Sequence, residues 1–127
     1  MIESAEDRWD RRLTNWALWF VSGGNASYRN SLWDFAGRGR PASGDGVPAL
    51  IGEAVDTDAL VLMLERILRQ SLIAWYVCSG TIAQRAGELS CHPNTLRYRV
   101  DCAKGRLEVM WQRRQAMRIR ERAGLAR

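Results

Sequence analysis

The sequence predicts an all-α fold: a compact helical domain with a C-terminal helix-turn-helix and an extended basic last helix. Three observations carry this prediction. Apolar residues recur at helical spacing in successive stretches of the chain. No segment alternates apolar and polar residues as a half-buried strand does, and no internal repeat occurs. Residues 81–103 place a small residue, a turn and an apolar stripe in the order that a helix-turn-helix requires.

The first helix is expected over residues 4–24. Ser4 is a suitable N-cap, and Glu6 and Asp7 sit where the helix dipole favours acids. Trp9, Leu13, Trp16, Ala17 and Phe20 follow at helical spacing, which assigns the tryptophans to core packing. Gly23 and Gly24 supply C-cap chemistry. A short helix is expected from Ser31 to Ala36, burying Leu32, Trp33 and Phe35. The segment 37–50 is rich in Gly, Pro and Ser and predicts a flexible loop. It carries Arg38 and Arg40, candidate contacts to RNA or to an RNA polymerase.

A central helix is expected over residues 56–78, capped by Asp56 or Thr57. Its inner stripe would be Leu60, Leu64, Ile67, Ser71 and Trp75, widened by Leu68 and Leu72. Ser79 and Gly80 break it. The helix-turn-helix then spans 81–111, and a basic tail occupies 112–127. A chain of 127 residues with 46% hydrophobic content is enough for one domain with a real core.

Charge narrows the function classes. The net charge is +5, but residues 1–56 carry −2 and residues 57–127 carry +7. Arg supplies 18 of the 19 basic residues, and its planar fork suits bidentate contact with phosphate or guanine. A basic C-terminal half points to nucleic acid. No apolar run approaches the roughly 20 residues of a membrane span, and the acidic N-terminus is no secretory signal, so a cytoplasmic location in a bacterial host is expected.

No enzyme is expected. Cys78, Cys91 and Cys102 match no zinc spacing, and one histidine, His92, leaves neither a metal set nor a triad. No cofactor or metal is implied.

The helix-turn-helix carries the candidate site. Thr81 caps a short first helix that ends near Leu89, and Ala86 is the small residue where the second helix crosses it. Ile82, Leu89, Cys91 and Leu96 close the turn and seat the second helix, which has Pro93 in its first turn. Leu96, Val100 and Ala103 face inward. His92, Asn94, Thr95, Arg97, Tyr98 and Asp101 face outward from the N-terminal turns, as a recognition helix in the major groove requires. Arg97 suits guanine and Asn94 adenine. Thr95, Tyr98 and Arg99 suit phosphate contacts that set the docking. Leu107 and Met110 or Trp111 continue the inner stripe. Lys104, Arg113, Arg114 and Arg118 are candidate phosphate contacts along the basic tail, where residues 113–127 hold six Arg against one Glu.

The order WALW, SLWDF, GEAVDTDALVLMLERI and LIAWYVCSGTIAQRAGELSCHPNTLRYRVDCAKGRL resembles the small phage antitermination proteins of the Q type, from about Trp9 to Leu107. Within it, HPNTLRYRV resembles still more closely the C-terminal helix-turn-helix of PucR-type activators, which normally follows a larger regulatory region. The Q-type resemblance implies a DNA element beside a late promoter and loading onto paused, sigma-containing RNA polymerase. It also implies a narrowed RNA exit channel that suppresses pausing and termination. Double-stranded DNA and bacterial RNA polymerase with sigma are then the expected partners, with nascent RNA and a second copy of the chain on DNA as further candidates. Two other readings stay open. One is a conventional small activator or repressor acting at initiation, and the other is a DNA-packaging recognition subunit.

Overall fold

The computed structural model describes residues 3–22 and 50–125. They are all-α, as expected. The helices are α1 (Ala5–Val21), α2 (Ile51–Val61), α3 (Arg66–Leu72), α4 (Ile82–Glu88) and α5 (Pro93–Leu125), with α3 running on into a π-turn at Ile73–Val77. The expected C-cap glycines, the short helix at 31–36 and the loop at 37–50, apart from Leu50, lie outside the described residues.

Helix α1 forms where the pattern puts it. The Ser4 hydroxyl accepts from the Asp7 N–H at 3.1 Å, satisfying one orphan donor of the first turn. Trp9, Leu13, Trp16, Ala17 and Phe20 are all buried, so the tryptophans of this stripe are core residues. Trp16 keeps its polar end satisfied by donating from Nε1 to Asp58 Oδ1 at 3.0 Å. Burial raises the Asp58 carboxyl above its ordinary range, and the hydrogen bond from Trp16 opposes that shift.

The single central helix expected over 56–78 is corrected. The chain enters α2 at Ile51, and neither Asp56 nor Thr57 caps it. Leu50 is the N-cap residue, with no side chain capping the first turn, and Asn15 of α1 anchors it: its amide donates to the Leu50 carbonyl at 2.8 Å, and the Leu50 N–H donates back to Asn15 Oδ1 at 3.4 Å. Thr57 is instead buried within the helix, donating to the Glu53 carbonyl at 2.8 Å and accepting from Arg12 Nε at 3.4 Å. A turn at residues 62–65 then separates α2 from α3, with Glu65 in extended conformation (φ −58°, ψ 147°).

The reason for the break is geometric. Helix α2 packs on α1, whereas α3 packs on α5. One straight helix presents one stripe, and here two faces are needed in two directions. The break buries Leu64 and Leu68 but leaves Ile67, expected in the inner stripe, 44% exposed. The π-turn shifts the register again, the Cys78 N–H bonding to the Ile73 carbonyl at 3.0 Å. Ile73, Ala74 and Val77 are thereby buried.

The buried residues form one continuous cluster. It runs from the α1 stripe through α2, α3 and the π-turn to Ala86 of α4 and Leu96, Val100, Ala103 and Leu107 of α5. The helix-turn-helix therefore shares its core with the N-terminal helix.

Candidate nucleic-acid interface

Local bonds build the first helix of the motif. Thr81 Oγ1 accepts from the Gln84 N–H at 3.1 Å, and Gln84 Oε1 accepts from the Thr81 N–H at 2.9 Å, a complete capping box. Gly80 precedes it at φ +106°, where an added Cβ would lie 2.7 Å from Gln84 Oε1. Any other residue there would be strained and would also push the capping amide aside. Arg85 donates from Nη1 to the Trp75 carbonyl at 2.9 Å, tying α4 to the π-turn.

The turn between α4 and α5 is a Schellman motif. The Ser90 N–H donates to the Gly87 carbonyl and the Cys91 N–H to the Ala86 carbonyl, each at 3.0 Å. Ser90 occupies the left-handed position (φ +53°) that glycine usually takes. Ala86 is fully buried, as the crossing demands, and Cys91 and Leu89 pack half-buried against the core. The cysteine is thus a closing element of the turn. Its neighbour Cys78 is buried, and burial raises its thiol pKa.

His92 has a role the sequence reading missed. Its carbonyl accepts from the Leu96 N–H at 3.0 Å, and its Nδ1 accepts from the Asn94 N–H at 3.1 Å. The ring therefore caps α5 at the site where Ser, Thr, Asp or Asn would normally act. The signal was present in the position, since Pro93 marks the first helical residue and makes residue 92 the cap. Histidine is simply not among the residue types that announce a cap.

From this capped end, α5 sorts its residues cleanly. Leu96, Val100, Ala103 and Leu107 are at most 1% exposed. His92, Asn94, Arg97, Tyr98 and Asp101 are exposed, with Asn94, Arg97, Tyr98 and Asp101 at i, i+3, i+4 and i+7 on one face. Thr95 and Arg99 are half-buried on a flank of that face. Tyr98 is 69% exposed, and its contact with the Cys102 thiol holds the phenol pKa above the usual value. Among the described residues Arg97 has no ion-pair partner, so its guanidinium is available to a ligand.

The other candidates divide. Arg113 and Arg118 are exposed and Arg114 is half-buried. Lys104 is turned elsewhere: its side chain is 12% exposed, and Nζ lies 3.8 Å from Asp10 Oδ1 and 5.9 Å from the centre of the Tyr76 ring. Tyr76 also donates to Asp10 Oδ1 at 2.8 Å, and burial raises its phenol pKa. Grouping Lys104 with the free cations of the tail is therefore corrected. Arg38 and Arg40 lie outside the described residues.

A second cluster, absent from the sequence reading, holds α1 to the middle of α5. Glu108 accepts from Trp9 Nε1 at 2.6 Å, from Gln112 at 3.0 Å and from Arg8. These bonds, that of Arg8 foremost, hold the Glu108 carboxyl below its ordinary range. The Arg8 guanidinium also stacks over the Trp111 ring at 4.6 Å.

With this geometry in place, comparison with known proteins gives one family match. Residues 68–120 match the model of the PucR C-terminal helix-turn-helix domain. Those residues are thus similar to a DNA-binding helix-turn-helix module. The match spans α3 to most of α5, including the capping box, the Schellman turn and the exposed stripe. It is to this module and not to the phage antitermination proteins of the Q type. No curated protein and no solved structure matches the chain.

Proposed function

We propose that the protein is a sequence-specific transcription regulator that acts at initiation, delivering its helical body to a promoter by inserting the N-terminal end of α5 into the DNA major groove. The observation that carries this reading is the exposed stripe Asn94, Arg97, Tyr98 and Asp101, set on a helix end locked by a PucR-type turn. Arg97 would read guanine and Asn94 adenine. Tyr98, Thr95 and Arg99 would hold phosphates and fix the register. His92 and Asp101 lie on the same exposed face and would face the groove walls. Arg113, Arg114 and Arg118 would add a salt-dependent contribution.

Helix α5 is about 50 Å long at 1.5 Å per residue, so its basic end stands well away from a base pair met by Arg97. A second copy bound to an adjacent half-site is compatible with this geometry.

The test is transcription in vitro on a template bearing a site selected from random DNA. A change in initiation frequency with unchanged terminator read-through supports the reading. Failure to enrich any site overturns it. Increased read-through by polymerase that has already left the promoter would instead favour antitermination, the reading that the chain order in residues 9–107 supports. In that case RNA polymerase with sigma and nascent RNA become the working partners.

A further inference from the structure

Between α1, α2 and α5 lies a cavity of about 280 Å³ that no step of DNA reading uses. Arg12 forms its back wall. The residue is 9% exposed, and its one side-chain hydrogen bond among the described residues is from Nε to Thr57 at 3.4 Å. It stacks on Trp9 at 5.1 Å, but no carboxylate lies within ion-pair distance of it among the described residues. Its two terminal nitrogens, each carrying two N–H donors, make no hydrogen bond among the described residues, and the residue lines the cavity.

A buried charge is expensive, and desolvation lowers the Arg12 pKa from its usual value, with the charges of Glu53 and Asp56 opposing that shift. Two more guanidiniums, Arg114 and Arg118, line the same cavity from α5, with Trp111 beside them. Glu53 and Asp56 line the α2 side, and Glu53 is engaged by Arg11 at 3.7 Å. Three cations against two carboxylates leave the cavity net positive. The lining carries excess positive charge; the acids limit how much negative charge enters.

We propose that this cavity is a binding site for a compact oxyanion, a phosphate or a carboxylate on a small molecule, held by Arg12, Arg114 and Arg118. A guanidinium fork matches both oxyanions with paired parallel hydrogen bonds, and burial strengthens them. DNA backbone is a poor fit, because Glu53 and Asp56 would meet neighbouring phosphates. The ligand would tie the C-terminal part of α5 to α1 and α2, where the described residues provide no ion pair to Arg114 or Arg118. This proposal is independent of whether α5 reads DNA.

The experiment is calorimetric titration of the full chain with inorganic phosphate, pyrophosphate and citrate, against chloride at matched ionic strength. Thermal unfolding is followed in parallel, since a ligand that prefers the folded state raises Tm in a saturable way. Saturable binding of one equivalent is expected, with the phosphate and carboxylate arms identifying the better oxyanion. Arg114→Gln and Arg118→Gln should each weaken it at least tenfold, whereas Arg120→Gln, outside the cavity, should leave it unchanged. Arg12→Gln should abolish it; if that variant does not fold, the two α5 variants decide. A response matched by chloride, or equal loss in Arg114→Gln and Arg120→Gln, would overturn the site and indicate diffuse charge attraction.

Discussion

The two ends of α5 belong to one unbroken helix, yet different forces place them. At the N-terminal end, Leu96, Val100, Ala103 and Leu107 are sealed in the core, and the turn and the His92 cap fix where the helix begins. From residue 108 to residue 124 none is buried, and residues 116–124 are all exposed. The first end is positioned by packing, to the accuracy that the proposed base reading would need. The second carries the exposed basic residues and is not held by burial. Specificity and general affinity can therefore sit on one helix and be altered separately.

Substitutions at the seated end should have the largest effects. Leu96→Ala removes a fully buried side chain where α4 and α5 meet and is expected to cost about 2–5 kcal/mol of stability in denaturant unfolding. A cost below about 1 kcal/mol would mean that packing does not place this end. Arg97→Ala should weaken specific DNA binding by about 1–3 kcal/mol and relax preference at one base pair, read from a binding-site selection. Equal loss on random and specific DNA would move Arg97 from base reading to phosphate contact.

Glu108 marks the boundary between the two regimes, and Glu108→Gln should cost about 1 kcal/mol at neutral pH. The sign follows from its depressed pKa in the folded protein. The contribution is present above the unfolded carboxyl value of about 4.3 and is lost as pH falls through the lower folded value. The difference between wild type and variant should therefore shrink in acid, as followed by thermal unfolding across pH. A gap that widens in acid would contradict the assignment.

Ser90→Gly should stabilise the protein by about 0.5–1 kcal/mol, because glycine adopts the left-handed turn position without the Cβ penalty. Destabilisation would show that the serine contributes more than its backbone. At the free end, Arg113→Ala should leave folding and base preference intact and reduce the salt slope of DNA binding by about 0.9, one phosphate contact. A change in base preference would erase the contrast between the ends.

The comparison also explains what could be foreseen. The α1 stripe, the Thr81 cap, Ala86 at the crossing and the outward set Asn94, Arg97, Tyr98 and Asp101 were legible because each follows from neighbours within a few turns. The capping role of His92 was hidden by residue type, although its position before Pro93 was visible. The break at residues 62–65 was hidden for another reason: LVLMLERIL continues a helical pattern locally, and only the need to face both α1 and α5 interrupts it.

By itself, the sequence determined the helical class, the core stripes, the polarity of charge along the chain and the motif that meets DNA. These follow from local periodicity, caps and composition, which need no knowledge of distant partners. Only the tertiary structure decided that Asn15 anchors Leu50 at the start of α2, that Lys104 turns toward Asp10 and Tyr76, and that Glu108 gathers Arg8, Trp9 and Gln112. It alone buried Arg12 with no carboxylate within ion-pair distance among the described residues. The bonds of Asn15 to Leu50 and of Arg8 to Glu108 join residues 35 and 100 positions apart, and charge patterns along a chain do not say which opposite charges will meet.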